Sequence, residues 1–388
     1  MPLLIRKSLI LVKTEVTYGV DPTPTGAADA VLVRNLAVTP LQSDVVSRDL
    51  IRPYMGASEQ LLANTRVQCT FSVELAGSGT AGTAPRYDAA LKACGLSATT
   101  ISSPVTGTAT AGALNSITLA AGASGTNDFY NGQILRITGG TGSGAIALIT
   151  AYVGATKVAT LRTLGSSVTP DNTSAYSIGA QVYYLPVSSA FSSATIYYNI
   201  DGVLHTLTGC RGTFTLNTAV GQIPSIDFTM TGIYNAPTDT AAPAVTYANQ
   251  ATPQIFKQGN SGAFSLYSYS GCLQSVTMDM GNTLVYRELV GCVKEVLLTN
   301  RASTGTVMIE APTIASKDYF TAALTDGTLG DLSFLHGSSA GSIVGLYSTR
   351  VDIGDPSYSD QDGIQMLNLP YTAVPSTAGN DEHRLIYA

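Results

Sequence analysis

Phe71-Ser72-Val73-Glu74-Leu75 decides the fold, because Val307-Met308-Ile309-Glu310-Ala311 repeats its pattern far along the chain. In both, apolar side chains alternate with others and an acid stands fourth. Traced back to Val67, the first run sets Val67, Cys69, Phe71, Val73 and Leu75 against Gln68, Thr70, Ser72 and Glu74. Period two over that length marks a strand with one buried face. Three further blocks recur in the same order. Ser47-Arg48-Asp49-Leu50 answers to Tyr286-Arg287-Glu288-Leu289, Ala89-Ala90-Leu91 to Ala322-Ala323-Leu324, and Thr213-Phe214-Thr215-Leu216 to Arg350-Val351-Asp352-Ile353. Partners lie about 235 residues apart for three blocks and about 100 residues closer for the last, as one insertion in the first copy requires.

This reading predicts a mainly β protein: two tandem β-sandwiches, each with one flanking short helix, plus an inserted all-β module. Residues 1–30 read as an extended N-terminal arm, since Asp21-Pro22-Thr23-Pro24 is turn and linker chemistry. Residues 31–100 and 184–235 form the first sandwich, 101–183 the inserted module, 236–261 a Pro-, Thr- and Ala-rich linker, and 262–388 the second sandwich. Pro85 can open a helix that sets Tyr87, Ala90, Leu91 and Cys94 on one face before Gly95 stops it; Phe320, Ala323 and Leu324 repeat the spacing. Inside the module, 116–120, 133–138, 145–152 and 157–161 read as short strands, with a hairpin turn at Gly154-Ala155-Thr156.

Composition excludes several classes of function. Charged residues are 12% of the 388, the net charge is −6 and the pI about 5.0, against the basic stripe that nucleic-acid binding needs. Like charge does suit a surface that DNA must pass without adhering. The five cysteines are scattered without a C-x-x-C pair and are expected as buried free thiols. His205, His336 and His383 lack metal-ligand spacing, and each is expected at the surface or hydrogen-bonded. Gly139-Gly140-Thr141-Gly142-Ser143-Gly144 lies between strands with no Lys after it, so it reads as a β-turn and not as a phosphate cradle. Asp227, Asp279, Glu74 and Glu310 are explained by duplication and solvated strand faces rather than by glycosidase chemistry. No enzyme, metal or cofactor is expected. Free thiols point to synthesis in the reducing cytoplasm; the opening residues have too short an apolar run for a signal peptide, and no run is long enough for a membrane helix.

A long loop follows the first matched block in each copy. In one copy it runs from Arg52 through Tyr54, Met55, Glu59 and Leu61 to Leu62, and in the other from Val290 through Val293, Lys294, Glu295 and Leu297 to Leu298. Large apolar groups on a long connection need a partner surface, on this subunit or the next.

The opening Lys13-Thr14-Glu15-Val16-Thr17-Tyr18-Gly19-Val20-Asp21-Pro22, the loop after Arg48-Asp49-Leu50, the helix Arg86-Tyr87-Asp88-Ala89-Ala90-Leu91-Lys92 and the ending Glu382-His383-Arg384-Leu385-Ile386-Tyr387 resemble the tail tube, or major tail, proteins of phages with long non-contractile tails. The resemblance implies a structural virion protein whose subunits form rings around a DNA channel and stack into a tube. Two tube domains per chain would make each ring a trimer with pseudo-sixfold symmetry. It also implies inter-ring contacts by the two long loops (Arg52, Tyr54, Met55, Glu59, Leu61; Val293, Lys294, Glu295, Leu297). The partners implied are further copies, tail terminator and tip proteins, and phage DNA passing without specific binding; the monomer would not insert in a membrane. Rival readings are a receptor-binding or carbohydrate-degrading tail fibre protein and an outer-membrane β-barrel; the helix in each copy speaks against the barrel.

Overall fold

The computed structural model describes residues 3–48, 50–163, 167–325 and 327–388; Asp49 of the first repeated block lies outside them. The protein is mainly β, with three short helices among the described residues, Gly26–Asp29, Asp88–Ala93 and Tyr319–Leu324. Its strands form two layers over a shared apolar core. In one layer the antiparallel order is Arg34–Val46, Leu61–Glu74, Ser225–Tyr234, Val203–Ala219, Leu273–Asp279, Thr304–Glu310, Ile364–Ala373 and Ser357–Gln361. These eight strands form one continuous sheet, four from each half of the chain.

The halves follow the same strand order. Phe71 pairs with Phe228 as Val307 pairs with Leu369, and Val73 with Ile226 as Ile309 with Leu367. One repeated block is displaced. Cys210 stands opposite Ala194 and Leu207 opposite Ile196, while Val351 stands opposite Gly330 and Ser348 opposite Leu332. Val351 therefore corresponds to Cys210 and not to Phe214, and Thr213–Leu216 matches the segment beginning at Gly354. The irregular Gly354-Asp355-Pro356 breaks the second strand where the first runs through, which hides the register from sequence comparison.

The strand Val203–Ala219 serves both layers. Its first part pairs with Ala194–Ile200 and its last residues with Leu273–Asp279, and the ladders shift register between Thr208 and Arg211. Gly209 sits at that bulge with φ +60°, and a Cβ there would lie 2.8 Å from the Tyr18 ring.

The described part of the N-terminal segment, residues 3–30, is not a free arm. Ser8–Thr14 is a strand paired along its whole length with Ala194–Ile200, and Ile10, Leu11 and Val12 are buried. Its outer face is covered by the turn that follows. The buried Glu15 carboxylate accepts from Gly19 N (2.8 Å), Ser193 Oγ (2.6 Å), Thr195 Oγ1 (2.7 Å) and Gly209 N (2.7 Å). Four donors leave no lone pair stranded in the interior. The 236–261 segment completes the cover, with Asn199 Nδ2 donating to Thr240 O (2.8 Å) and Phe256 buried.

The inserted module has its own seven-stranded sheet and its own core around Leu135, Ile149, Leu161 and Tyr176. It leaves and rejoins the main sheet where Ile101 faces Gln181, so 181–183 belong to the strand Gln181–Pro186 and not to the module. Gly139 ends one of its strands, and the glycine-rich run makes the turn to Ile146–Val153.

The module is docked. Ile134, Ile146 and Leu148 pack on Leu335, Ile343, Tyr347 and Ile386 of the second half, all buried. The outer-layer strands there present Phe334, Leu346, Leu385 and Tyr387 to the main core and Leu335, Tyr347 and Ile386 to the module, so both faces are apolar. Tyr347 OH donates to Thr150 O (3.1 Å), and the Arg384 guanidinium lies 4.6 Å over the Tyr183 ring. Deleting 102–180 is predicted to expose this apolar patch and make the subunit aggregate. The same deletion with Ile343→Thr and Ile386→Thr should recover soluble protein, as size-exclusion chromatography would show. A soluble bare deletion would mean that the patch contributes little.

Candidate assembly surfaces

One face of the eight-stranded sheet carries the core; the other is polar. Thr70, Thr215, Asn217, Thr229, Thr277 and Thr306 stand on it with Glu74, Asp227, Asp279, Glu310 and Asp352, while Arg34 is a basic residue at its edge. A hydroxyl-rich surface on which acids outnumber bases in this way offers phosphates few cations.

The sheet has two open edges. Among the described residues, Arg34–Val46 pairs only with Leu61–Glu74, and Ser357–Gln361 only with Ile364–Ala373. Open edges invite a further strand.

The two long loops are hairpin tips. Arg34–Val46 and Leu61–Glu74 extend beyond the sheet, and Asn282–Arg287 with Glu295–Arg301 forms the matching hairpin as a separate two-stranded sheet. In the first tip Tyr54 and Met55 are exposed, and Arg52 lies 5.9 Å over the Tyr54 ring and donates to Ser58 Oγ (3.3 Å). Glu59 pairs with Arg48, and Leu61 belongs to a strand, opposite Val46. In the second tip Val293 is exposed and Lys294 pairs with Glu288 at 2.9 Å. Lys294 and that tip draw the Glu288 carboxyl below its ordinary range.

Glu295 and Leu297 were expected in the loop but lie on the strand Glu295–Arg301. Glu295 is committed to the first half. Arg211, buried, donates to Glu295 Oε1 (3.0 Å), Val296 O (2.7 Å) and Phe191 O (3.2 Å), and stacks 4.7 Å from the Tyr18 ring. Tyr18 OH accepts from Val296 N (2.6 Å), and burial pushes its pKa up to about 12. Asn282 Nδ2 donates to Cys94 O (2.7 Å) and Gly212 O (2.9 Å). The second hairpin thus lies across the first half as a clasp, and sequence spacing alone does not reveal Arg211 and Tyr18 as its anchors.

The helices differ in cover. Tyr87, Ala90, Leu91 and Cys94 are all buried, as their spacing predicts. In the second helix the buried anchor is Tyr319, whose OH donates to Leu266 O (3.0 Å), whereas Leu324 is 84% exposed.

Cys69, Cys94 and Cys210 are buried free thiols, but Cys272 and Cys292 are exposed. Among the described residues no group of three metal-ligating side chains occurs, and no helix is long and apolar enough to cross a membrane.

The family assignment agrees with this architecture. The profile described as phage tail tube protein matches residues 5–373. The chain belongs to the phage tail tube protein family. No curated protein sequence matches it.

Two histidines of this tail tube protein are buried. His336 bridges Ser261 Oγ (2.7 Å) and Gln254 O (3.1 Å). His383 contradicts the expectation of a surface or satisfied residue, because neither ring nitrogen has a hydrogen-bond partner among the described residues. The chain draws it inward with its neighbours Glu382, paired to Arg301 at 2.5 Å, and Leu385 in the core. Burial lowers His336 to about 4, and burial with the nearby Arg301 lowers His383 to about 3.

Both folded pKa values lie below the unfolded value of about 6.5, so the unfolded chain binds more protons in between. Stability is full above pH about 6.5 and falls with acidification by up to about 1.4 kcal/mol per pH unit for each histidine. Urea unfolding of the monomer at pH 7 and pH 5 should show this loss, and His383→Leu should reduce it. An unchanged slope in that variant would contradict the assignment.

Proposed function

We propose that this tail tube protein forms rings of three chains, which stack into the conduit through which phage DNA leaves the virion. What supports the reading is one observation: two halves with the same strand order lie side by side in a single eight-stranded sheet whose free face is polar and acidic. Residues 31–101 and 181–235 make one tube domain and 262–388 the other, so three chains supply the six domains of a pseudo-sixfold ring. The acidic face lines the channel and lets a polyanion slide. The protein acts through assembly, with no catalytic step. It is made in the host cytoplasm, and its partners are its own copies along the tube with terminator and tip proteins at the ends.

The exposed hairpin tips carry the contacts between rings. Ile51 and Met55 are fully exposed apolar side chains with no core to join, and Tyr54, Leu289, Val290 and Val293 add to the same end. Replacing Ile51 and Met55 by Ser should leave subunit stability within about 0.5 kcal/mol, because both are exposed. It should stop tube growth at single rings. Ring mass by native mass spectrometry should then equal three chains. Tubes of normal length would contradict the role of the tips, and six-chain rings would contradict the stoichiometry.

A further inference from the structure

We propose that the seam between the inserted module and the second half is a binding site for a small anionic saccharide, a sugar unit that bears a phosphate or a carboxylate. A cavity of about 600 Å³ opens there, the size of a small-molecule site and far larger than a lone ion needs. The module supplies one wall through Asn115, Arg162 and Ser167. The remaining walls are the turn at Lys257 and Gln258, the strand Ser261–Leu266 and residues 270–273.

Charge sets the sign of the ligand. In a chain of net charge −6, two cations, Arg162 and Lys257, line this cavity, and none of its described lining residues is acidic. Glu310 is outside the wall, hydrogen-bonded to the Cys272 thiol. Neither cation forms an ion pair among the described residues. The Arg162 Nε is buried and has no hydrogen-bond partner among them. A guanidinium N–H held out of water without an acceptor costs free energy until an anionic oxygen meets it, and the planar fork fits the paired oxygens of a carboxylate or phosphate.

The rest of the wall selects the body of the ligand. Phe256 and Phe264 are buried, Phe256 with its ring against Phe334 and His336, so neither lies open for a base to stack on. Gln258 and Ser270 are exposed, and Asn115 Nδ2 donates to Ser167 Oγ (3.4 Å). Amides and hydroxyls around an apolar floor match a sugar, whose hydroxyls both donate and accept. The strand wall is also strained: its ladder shifts between Gly262 and Ser265, and Ala263 there has φ +50°. A bulge that holds a non-glycine residue in the left-handed region costs free energy, and such features gather where a wall is shaped for a ligand.

The cavity is complete within one chain, so the inference stands apart from the ring stoichiometry. Its test uses the full-length Cys292→Ser protein, in which Cys272 is the exposed thiol among the described residues. Titration calorimetry should show binding of α-glucosyl phosphate, of glucuronate or of both, and none of glucose; which of the two charged sugars binds identifies the anionic group. The bound sugar should slow alkylation of Cys272 several-fold. Lys257→Gln, an exposed change that leaves the melting temperature as it is, should weaken binding about tenfold or more, as should Arg162→Gln. Arg162→Lys should recover only part of the loss, because it restores the charge without the fork. Glucose bound as tightly as the charged sugars, inorganic phosphate bound as tightly as α-glucosyl phosphate, or binding that survives Lys257→Gln would overturn the assignment. So would an absence of both heat and thiol protection with every probe at millimolar concentration.

Discussion

Five residue pairs, Thr215–Ala219 against Asp279–Ser275, make the two halves of this chain into one sheet. Without that ladder each half would end in an unpaired strand beside the other. With it, the strand order of the first half runs on into the second without interruption, and the polar face becomes continuous. The outer layer crosses the same boundary by another route, since Arg384–Tyr387 pairs with Val344–Tyr347 on one side and Gln181–Pro186 on the other. Tyr387 reinforces that crossing. Its ring packs against Tyr184 and Tyr87, and the Tyr87 hydroxyl donates to Ala76 O at 2.9 Å while accepting from the Tyr387 hydroxyl at 3.1 Å. Two layers joined at one boundary resist bending there far more than either would alone.

Each half also needs its outer layer covered, and the chain uses different means for the same need. On the first half, the turn after Thr14 and the segment after Tyr234 lie over Thr195, Tyr197 and Asn199, held by Glu15, Asp21 and Thr240. On the second half, the inserted module does this with a mainly apolar contact. The first cover is polar and local; the second is a folded body. That difference explains why the insertion is docked by Leu335, Ile343, Tyr347 and Ile386 and is not simply tethered.

Much of this was legible in the sequence, and the exceptions share a physical cause. Strands with one wet face, such as Leu61–Glu74 and Thr304–Glu310, announce themselves by period two. Ser8–Thr14 is buried on both faces, so Leu9-Ile10-Leu11-Val12 shows no alternation and reads as an arm. Leu385-Ile386-Tyr387-Ala388 and Ile343-Val344-Gly345-Leu346-Tyr347 carry the same unbroken apolar signal, which is the trace of the module's docking site. The displaced fourth block follows from Gly354-Asp355-Pro356, which breaks one strand and not its counterpart. Of the candidate assembly residues, Tyr54, Met55 and Val293 lie exposed, whereas Glu295 is drawn into the chain by Arg211, a contact between segments 84 residues apart that no local pattern records.

The central claim is that two unlike halves of one chain occupy equivalent places around a channel. A three-dimensional reconstruction of purified tubes by electron cryomicroscopy tests it most directly. The account predicts threefold rings in which six similar lobes surround the channel and extra density sits on alternate lobes. True sixfold rings, with the module repeated on every lobe, would contradict it.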